Sequence, residues 1–308
     1  MEHISNIIKE ATKLKVKPIS TGFKFLDKAI GGYYPGSMTT ICGPEDSGKS
    51  AFVISQINHI AVDLHIPTLL ILNNMSERTF LSCMAAYYCG IETNNVNEVL
   101  NEKKYQNAIK EYLKLLKEAP LYIIGVEWDD ENFIEKVEGL ITSNGIEIVF
   151  IDEIISLYTE KYTFTYNSWK SLALRLDISI VVTSCICCEH EWLDGVSRIK
   201  PALRDLFFHS AIHGHDIIIG LVNYERYNIH QNYEGRSLCD TIGFEILKQK
   251  GKNKDRRFLL PWGFLYLKDF AEKQKLTLDE IRQSSSYKID SLIDKFNLTT
   301  EDDQPMPF

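Results

Sequence analysis

Residues 43–50, GPEDSGKS, have the spacing G-x-x-x-x-G-K-S/T of a phosphate-binding loop and lie between a β-type run and a helical run. The two glycines let backbone N–H groups turn inward onto phosphate oxygens, and the following helix adds the positive end of its dipole. Lys49 is expected to reach the β- and γ-phosphates and Ser50 to hold Mg²⁺, so the motif predicts binding of ATP. A tight turn without a ligand is the alternative. The residues predicted to contact the nucleotide are Gly43, Pro44, Glu45, Asp46, Ser47, Gly48, Lys49 and Ser50.

A second acidic element, IVFIDEI at 148–154, is an apolar strand that ends in Asp152 and Glu153. A carboxylate at the tip of the strand beside the loop can hold the hydration shell of Mg²⁺, the Walker B role, which we assign to Asp152. Acids that only cap a strand end are the common alternative. The intact loop upstream favours the functional interpretation.

Predicted strands and helices alternate from Met38 onward. The strands are continuous apolar runs, which are typical of a mainly parallel sheet with helices on both faces, so the sequence predicts an α/β fold. Three later runs, TIGFEILKQ, RRFLLPW and FLYLK, predict an antiparallel extension at the sheet edge. The predicted strands are 38–42, 68–72, 121–126, 147–152, 178–184 and 216–222, and helices are predicted after Lys49, from Ser76, near 131–143 and near 167–176.

The composition limits the classes of protein to which the chain can belong. Of 308 residues, 44% are hydrophobic and 25% charged, which is typical of a soluble globular protein. Because no apolar run approaches the roughly 18 residues of a membrane span, we expect a cytoplasmic protein without a membrane partner. The net charge of −8 argues against a protein that coats duplex DNA, but it leaves room for local basic loops.

The seven cysteines are odd in number and lie mostly in apolar stretches, so we expect reduced thiols. The run CICCEH brings together Cys185, Cys187, Cys188 and His190. Its spacing matches no standard zinc pattern and part of it continues a core strand, so we do not favour a metal site there.

The chain divides into four segments. Residues 1–17 hold an amphipathic helix, which Pro18 and Gly22 end, and residues 18–270 form the nucleotide-binding domain. Residues 271–298 are predicted to form a helical segment. Residues 299–308 are polar, acidic and rich in proline, so we expect a disordered tail.

The segment 21–50 resembles the RecA-like ATPase core, and the later motifs are most similar to the C-terminal motor domain of DnaB-type hexameric replicative helicases. Met75-Ser76 resembles the family's L-E-M-S, and 248–250 resembles its K-Q-R. The resemblance spans roughly residues 18–268 and implies a homo-hexamer that binds Mg²⁺-ATP between subunits and acts on single-stranded DNA. The loop itself is closer to the G-P-E-S-S-G-K-T of RecA, so a RecA-type recombination ATPase is a rival. The lead-in T-G-x-x-x-L-D-x-x-x-G-G-x-x-P-G is matched by Thr21, Gly22, Leu26, Asp27, Gly31, Gly32, Pro35 and Gly36.

Catalytic positions of the family are altered in this chain. The glutamate that deprotonates the attacking water is Asn74 here, and an amide can orient a water but cannot accept its proton. The γ-phosphate sensor, usually Gln, falls at Cys185, whose thiol is a poor hydrogen-bond partner. In the trans-acting motif that begins at Lys248, the finger becomes Lys250, which lacks the bidentate fork of arginine.

Glu153 offers a substitute for the missing base, because a glutamate directly after the Walker B aspartate serves as the base in other P-loop ATPases. We therefore expect slow hydrolysis of ATP through Glu153. A solvated or helix-capping acid is the alternative interpretation of this residue.

The resemblance further implies pore loops near 158–167 and 186–204 that hold single-stranded DNA. Tyr162, Phe164 and Trp192 are candidates for stacking on bases, whereas Glu189, Glu191 and Asp194 oppose DNA. A loop without ligand is the alternative. The candidate phosphate contacts are Lys161, Arg198, Lys200 and Arg204.

The two ends of the chain suggest partners. The N-terminal helix is similar to the family's linker helix, which docks on the next subunit, although it could pack on its own domain. The tail EDDQPMPF resembles the acidic tip of bacterial single-stranded DNA-binding proteins, which implies docking to a replication or repair protein, with a solvated tail as the alternative. The residues that match this tip are Asp302, Asp303, Pro307 and Phe308.

The sequence thus predicts a RecA-like ATPase domain of the DnaB helicase type. The family's D-L-R-E-S-G becomes DLFFHS at 205–210, where Phe207 and Phe208 replace a charged pair. A nucleotide-binding scaffold of the same fold, with little or no hydrolysis, is the alternative that Asn74, Cys185 and Phe207 favour. A RecA-type recombination protein is the third possibility.

Overall fold

A computed structural model describes residues 4, 17–73, 75–90, 102–126, 132–154, 160–186, 214–224, 241–249 and 256–261. Its helices are α1 Lys24–Ile30, α2 Lys49–Ile57, α3 Glu77–Cys89, α4 Gln106–Glu118, α5 Phe133–Asn144 and α6 Glu160–Leu176, and a π-helical turn, Asn58–Asp63, extends α2. Its strands are β1 Met38–Gly43, β2 Thr68–Leu72, β3 Leu121–Gly125, β4 Ile148–Ile154, β5 Ser179–Cys185, β6 Ile217–Asn223, β7 Thr241–Gln249 and β8 Arg256–Pro261.

The strands form one eight-stranded sheet in the order β3-β2-β4-β5-β1-β6-β7-β8. Every pairing from β3 to β6 is parallel, whereas β7 and β8 pair antiparallel at one side. The parallel strands all end at the same edge of the sheet, which we call the carboxyl edge, and they begin at the opposite amino edge. The predicted mainly parallel α/β sheet with an antiparallel extension is confirmed.

Both faces of strands β1, β2, β4, β5 and β6 are buried, which explains why these strands read as continuous apolar runs. Side chains of successive strand residues point to opposite faces, so these strands contribute to a core on each face. The core on one face combines α2 and α3 with strand residues and includes Phe52, Phe80, Met84, Phe150 and Val181. The core on the other face combines α5 and α6 with strand residues and includes Val137, Ile141, Val149, Trp169 and Val182.

Helix α6 differs from the prediction. It begins at Glu160 and not near 167, so most of the stretch 158–167, predicted as a pore loop, is helical. The pore loop was expected here from the family resemblance, and the aromatic and threonine residues of this stretch are weak helix formers. The later turns pack Trp169 and Leu172 into the core, and helix formation is cooperative, so the packed part extends the helix backward.

Other predictions have mixed outcomes. Strand β2 and strand β7 have the bounds that the sequence predicts, whereas α1 and α4 had not been predicted. FLYLK, the helical segment 271–298, the acidic tail and, apart from Ile4, the N-terminal helix lie outside the described residues.

The cysteines that the structure describes, Cys42, Cys83, Cys89 and Cys185, are free thiols. Within the described ranges, no helix is both long enough and apolar enough to cross a bilayer.

His215 is buried at the amino edge, just before β6. Its Nδ1 contacts Thr40 Oγ1 on β1. Burial lowers the pKa of His215 to about 4; Lys248 on β7 and Lys170 on α6 also lower it, while Asp216 raises it. The imidazole is therefore neutral in the folded protein at neutral pH.

Acidification should therefore destabilise the fold through His215. The neutral imidazole makes its full contribution to the free energy of unfolding above the unfolded-state pKa of 6.5. This contribution is lost as the pH falls toward the folded-state pKa of about 4, because only the unfolded chain takes up the proton. Between pH 6.5 and about 5 we expect a loss of about 2 kcal/mol in the free energy of unfolding. His215→Asn should lack this part of the pH dependence. Denaturant titrations at both pH values would contradict the prediction if the two proteins changed equally.

Candidate functional site

The phosphate loop leaves the sheet at the carboxyl edge, where β1 ends at Gly43 and α2 begins at Lys49. Gly48 has a φ of 93° and Asp46 a φ of 56°, so the loop turns through left-handed backbone that favours glycine. At Gly43 a Cβ atom would lie 2.3 Å from Ser47 Oγ and 2.9 Å from the Leu221 carbonyl. The geometry therefore requires both glycines of the motif.

Lys49 is folded back onto the loop and only 8% exposed. Its Nζ donates to the carbonyl oxygens of Gly43 at 3.0 Å and Pro44 at 2.9 Å. Ser47 lies inside the same turn, and its buried Oγ has no hydrogen-bond partner among the described residues. A positive charge is thus held at the position where the motif places phosphates.

Asp152 is 4% exposed at the end of β4, and Thr183 Oγ1 donates to its Oδ1 at 2.7 Å. Burial raises the pKa of Asp152, whereas hydrogen bonds from Thr183 and Ser50 and the charge of Lys49 lower it; the net shift is upward. The structure therefore brings together the predicted Walker B carboxylate, the Ser50 hydroxyl and the Lys49 amine. Strand β5 lies between β4 and β1 in the sheet, so Asp152 approaches the phosphate loop across one intervening strand.

The donor set at this point fits Mg²⁺. Asp152 and Ser50 supply a carboxylate and a hydroxyl oxygen, and Mg²⁺ is usually held by few protein oxygens together with waters and substrate phosphates. Among the described residues no group of three His, Cys, Asp or Glu side chains could hold a metal ion by itself. Three of the four residues of the disfavoured zinc cluster, Cys187, Cys188 and His190, lie outside the described residues.

A bulge at the end of β4 sets the direction of its acidic residues. The register with β5 shifts between Ile151 and Ile154, so Asp152 and Glu153 together face Thr183. Asn73, directly after β2, supports the bulge: its N–H donates to the Asp152 carbonyl at 2.8 Å and its Nδ2 to the Glu153 carbonyl at 3.0 Å. Glu153 is half-buried at the same edge as the phosphate loop.

The remaining catalytic candidates divide between the two edges of the sheet. Cys185 pairs in register with Gly43 and is half-buried beside the loop. Lys248 lies at the amino edge, where its Nζ donates to the His215 carbonyl at 2.6 Å, so it is remote from the loop of its own chain. Asn74 and Lys250 lie outside the described residues.

The structure tests little of the predicted DNA interface. Arg198, Lys200 and Arg204 lie outside the described residues, as does Trp192. Lys161 is on the backbone of α6, with its side chain outside what the structure describes. The interface therefore stays a prediction.

The lead-in motif acts as a clamp on α2. Asp27 accepts hydrogen bonds from Ser20 Oγ at 2.6 Å and from the Thr21 N–H at 2.8 Å. Gln56 of α2 donates from Nε2 to the Thr21 carbonyl at 2.6 Å and accepts from Tyr33 OH at 2.8 Å. The spacing of the lead-in is thus the spacing needed to fix the helix that carries Lys49 and Ser50.

Sequence reasoning missed three residues that shape the site: Asn73, Thr183 and Asn223, whose Nδ2 donates to the Asp46 carbonyl at 3.2 Å. Asn223 is the last residue of β6 and Asn73 directly follows β2, so both are polar residues at the carboxyl ends of apolar strands, a signal that was available. Thr183 could have been noticed as a polar residue within the apolar run ISIVVTS.

Gly43→Ala should abolish nucleotide binding, because the added methyl group would meet Ser47 Oγ and a backbone carbonyl and so distort the loop. The matched control is Gly139→Ala on α5, where a Cβ meets nothing within 4 Å and where alanine favours a helix. Equilibrium binding of a fluorescent ATP analogue measures both variants. Wild-type affinity in Gly43→Ala would refute this interpretation of the loop.

Curated relatives include RecA proteins. RecA of Nostoc sp. strain PCC 7120 is 25% identical over 149 residues, which are 48% of this chain and 33% of that protein. RecA of Prochlorococcus marinus strain AS9601 is 42% identical over 52 residues, which are 17% of this chain and 14% of that protein. The chain therefore matches a third or less of the length of these relatives.

Solved structures share the fold. A solved ATPase domain superposes with a TM-score of 0.71 at 15% identity over 86% of this chain and 96% of that one. A DnaB-like replicative helicase, whose structure was described with its interactions with primase, gives a TM-score of 0.70 at 16% identity over 87% and 67% of the two chains. A model of the DnaB-like helicase C-terminal domain matches residues 18–254, and the chain therefore belongs to this family.

Proposed function

We propose that this chain is an ATP-driven motor of the DnaB helicase type, which hydrolyses ATP slowly and acts on single-stranded DNA. The observation that carries the proposal is the convergence of Lys49, Ser50 and Asp152 on one phosphate loop. These groups come from two distant parts of the sequence, and the fold brings them to one edge of the sheet. A ligandless turn gives no reason for a buried carboxylate beside a buried lysine.

Each of these groups has a distinct task in the proposed site. Backbone N–H groups of the loop and the N-terminus of α2 attract the phosphates, and Lys49 adds a full positive charge. Ser50 and Asp152 would hold Mg²⁺, which when bound neutralises the charge that develops on the phosphates. Half-buried Cys185 lies beside the start of the loop, where it could contact the terminal phosphate only weakly.

The water that attacks the γ-phosphate needs a base, and Glu153 is our candidate. It follows the buried Asp152, and the Asn73 side chain fixes its backbone at the carboxyl edge. Asn74 at the family's base position can orient the water by hydrogen bonding but cannot take its proton. Hydrolysis through a displaced base is expected to be slow.

The site is proposed to be completed by a neighbouring subunit in a homo-hexamer. Lys248 lies at the amino edge, whereas the phosphate loop lies at the carboxyl edge. Lys248 is therefore remote from the nucleotide of its own chain, and we propose that Lys248 and Lys250 serve the nucleotide of another subunit. The amine groups of Lys248 and Lys250 are point charges, so their contribution to hydrolysis is expected to be smaller than that of an arginine finger.

A second candidate function is a nucleotide-gated scaffold that binds ATP and turns it over rarely or not at all. Asn74 favours this candidate, since the proton acceptor of the family is missing. The binding groups would be unchanged, so only turnover separates the two functions. A recombination ATPase of the RecA type is the third candidate, supported by the loop sequence and the partial RecA matches.

The DNA and tail contacts are further parts of the proposal. Arg198, Lys200 and Arg204 are proposed to contact phosphates of single-stranded DNA, together with Lys161. Neutralising them should weaken binding and reduce its dependence on salt. The tail residues Asp302, Asp303, Pro307 and Phe308 are proposed to dock on a replication or repair protein.

The steady-state ATPase rate, measured with and without single-stranded DNA, tests the motor. Wild-type turnover should rise with DNA, Lys49→Ala should abolish it, and Glu153→Gln should lower it by about 100-fold because proton abstraction is lost. Nucleotide binding by Glu153→Gln should be retained. Turnover unchanged in Glu153→Gln would exclude this base, and tight binding of ATP without turnover in the wild type would favour the scaffold.

Mixed oligomers test the shared site. Lys49→Ala and Lys250→Ala should each be inactive alone, because one lacks the loop lysine and the other the finger. Mixed and allowed to exchange subunits, they should regain part of the activity, since some interfaces would combine an intact Lys49 with an intact Lys250. The matched control mixes Lys49→Ala with Glu153→Gln, whose defects both belong to the loop side and cannot form an intact interface. Activity restored equally in both mixtures, or in neither, would contradict the shared site.

A further inference from the structure

Thr183 has a fully buried side chain on β5, the strand that separates the Walker B strand from the strand of the phosphate loop. Two residues earlier on β5, Val181 packs in the core that contains Phe52 of α2. Because alternate residues of a strand share a face, Thr183 points to the side of the sheet that α2 covers. Asp152 is held on the same side, next to Ser50.

The bulge in β4 makes Thr183 the partner of the carboxylate. Two residues of β4 face one residue of β5 at this point, and the Thr183 hydroxyl donates to Asp152 Oδ1 at 2.7 Å. Both groups are withdrawn from water, so neither can exchange this hydrogen bond for one to solvent. The carboxylate therefore cannot rotate freely about its terminal bond.

We propose that Thr183 is a positioning residue for Mg²⁺: it holds one oxygen of Asp152 on the β5 side and so presents the carboxylate to Ser50 and the phosphate loop. The inference rests on the proposed nucleotide site and adds to it a residue that touches neither nucleotide nor metal. A threonine that only satisfied its own hydroxyl would affect stability and leave the dependence of nucleotide binding on Mg²⁺ unchanged.

The test compares full-length variants by binding of a fluorescent ATP analogue, with and without MgCl₂. Thr183→Val removes the hydroxyl and keeps the shape, so binding without Mg²⁺ should stay at the wild-type level. The MgCl₂ concentration needed for half of the Mg²⁺-dependent gain in analogue binding should rise about tenfold. This is the loss of affinity expected when one hydrogen bond to a charged group is removed. Thr183→Ser, which keeps the hydroxyl, should behave as the wild type.

The matched control is Thr39→Val on β1. Thr39 Oγ1 is also buried but has no hydrogen-bond partner among the described residues, so its removal should not change the Mg²⁺ dependence. A tenfold rise in Thr39→Val as well would show a general effect of losing a buried hydroxyl and would overturn the inference. If Thr183→Val does not fold, Thr183→Ser and Thr183→Cys form the pair, since a thiol of similar shape is a weak donor. Equal Mg²⁺ dependence in that pair would overturn the inference too.

The outcomes also separate this inference from the proposed function. Wild-type binding with an unchanged Mg²⁺ dependence in Thr183→Val would refute the positioning role and leave the nucleotide site intact. If the wild type bound the analogue no better than Lys49→Ala does, the nucleotide site would be refuted, and the role of Thr183 with it.

Discussion

The site depends on one buried acidic group, the carboxyl group of Asp152. An ionised carboxylate withdrawn from water is costly unless it is paired and hydrogen-bonded. Here the hydroxyl groups of Thr183 and Ser50 and the charge of Lys49 offset part of this cost, and burial still leaves the pKa of Asp152 raised. Thr183 belongs to β5, whereas Ser50 and Lys49 both belong to α2, so β4, β5 and α2 must all be in place before these contacts form.

This requirement explains the order of strands around the loop. Strand β5 lies between β4 and β1, which places Thr183 next to Asp152 and Cys185 next to Gly43. The lead-in clamp fixes α2 from the other side through Gln56, so the helix that carries Ser50 cannot move away from the sheet. The phosphate loop is thus held at both ends by buried polar contacts, and its conformation does not depend on the loop residues alone.

Much of this arrangement could be predicted from the sequence, for physical reasons. Most of the parallel strands are buried on both faces, so they form continuous apolar runs with clear limits, as at β2. The loop glycines are required by backbone geometry at Gly43 and Gly48, so their spacing is a direct signal of the turn. Residues that act only through backbone and loop geometry are therefore visible in the sequence.

The parts that could not be predicted depend on contacts between distant segments. Nothing local to IVFIDEI indicates a bulge that makes Asp152 and Glu153 face Thr183, because the bulge is a property of the pairing with β5. The early start of α6 also escaped prediction, since Trp169 and Leu172 stabilise the helix from outside the weakly helical stretch. Tertiary packing overrode local preference at both places.

The antiparallel extension has a consequence for how the molecule can work. If the sheet ended at β6, the chain would finish at the carboxyl edge; β7 returns it to the amino edge, where Lys248 contacts the His215 carbonyl and Gln249 Nε2 donates to the Ala29 carbonyl at 3.1 Å. The base of the hairpin is therefore anchored to β6 and to α1, the helix of the lead-in clamp. Since that clamp also holds α2, the helix after the phosphate loop and the β7–β8 hairpin are joined through one continuous set of hydrogen bonds. A nucleotide that moved α2 would move the lead-in with it. Through Ala29 it would also move β7, whose Lys248 is proposed to serve the nucleotide of another subunit.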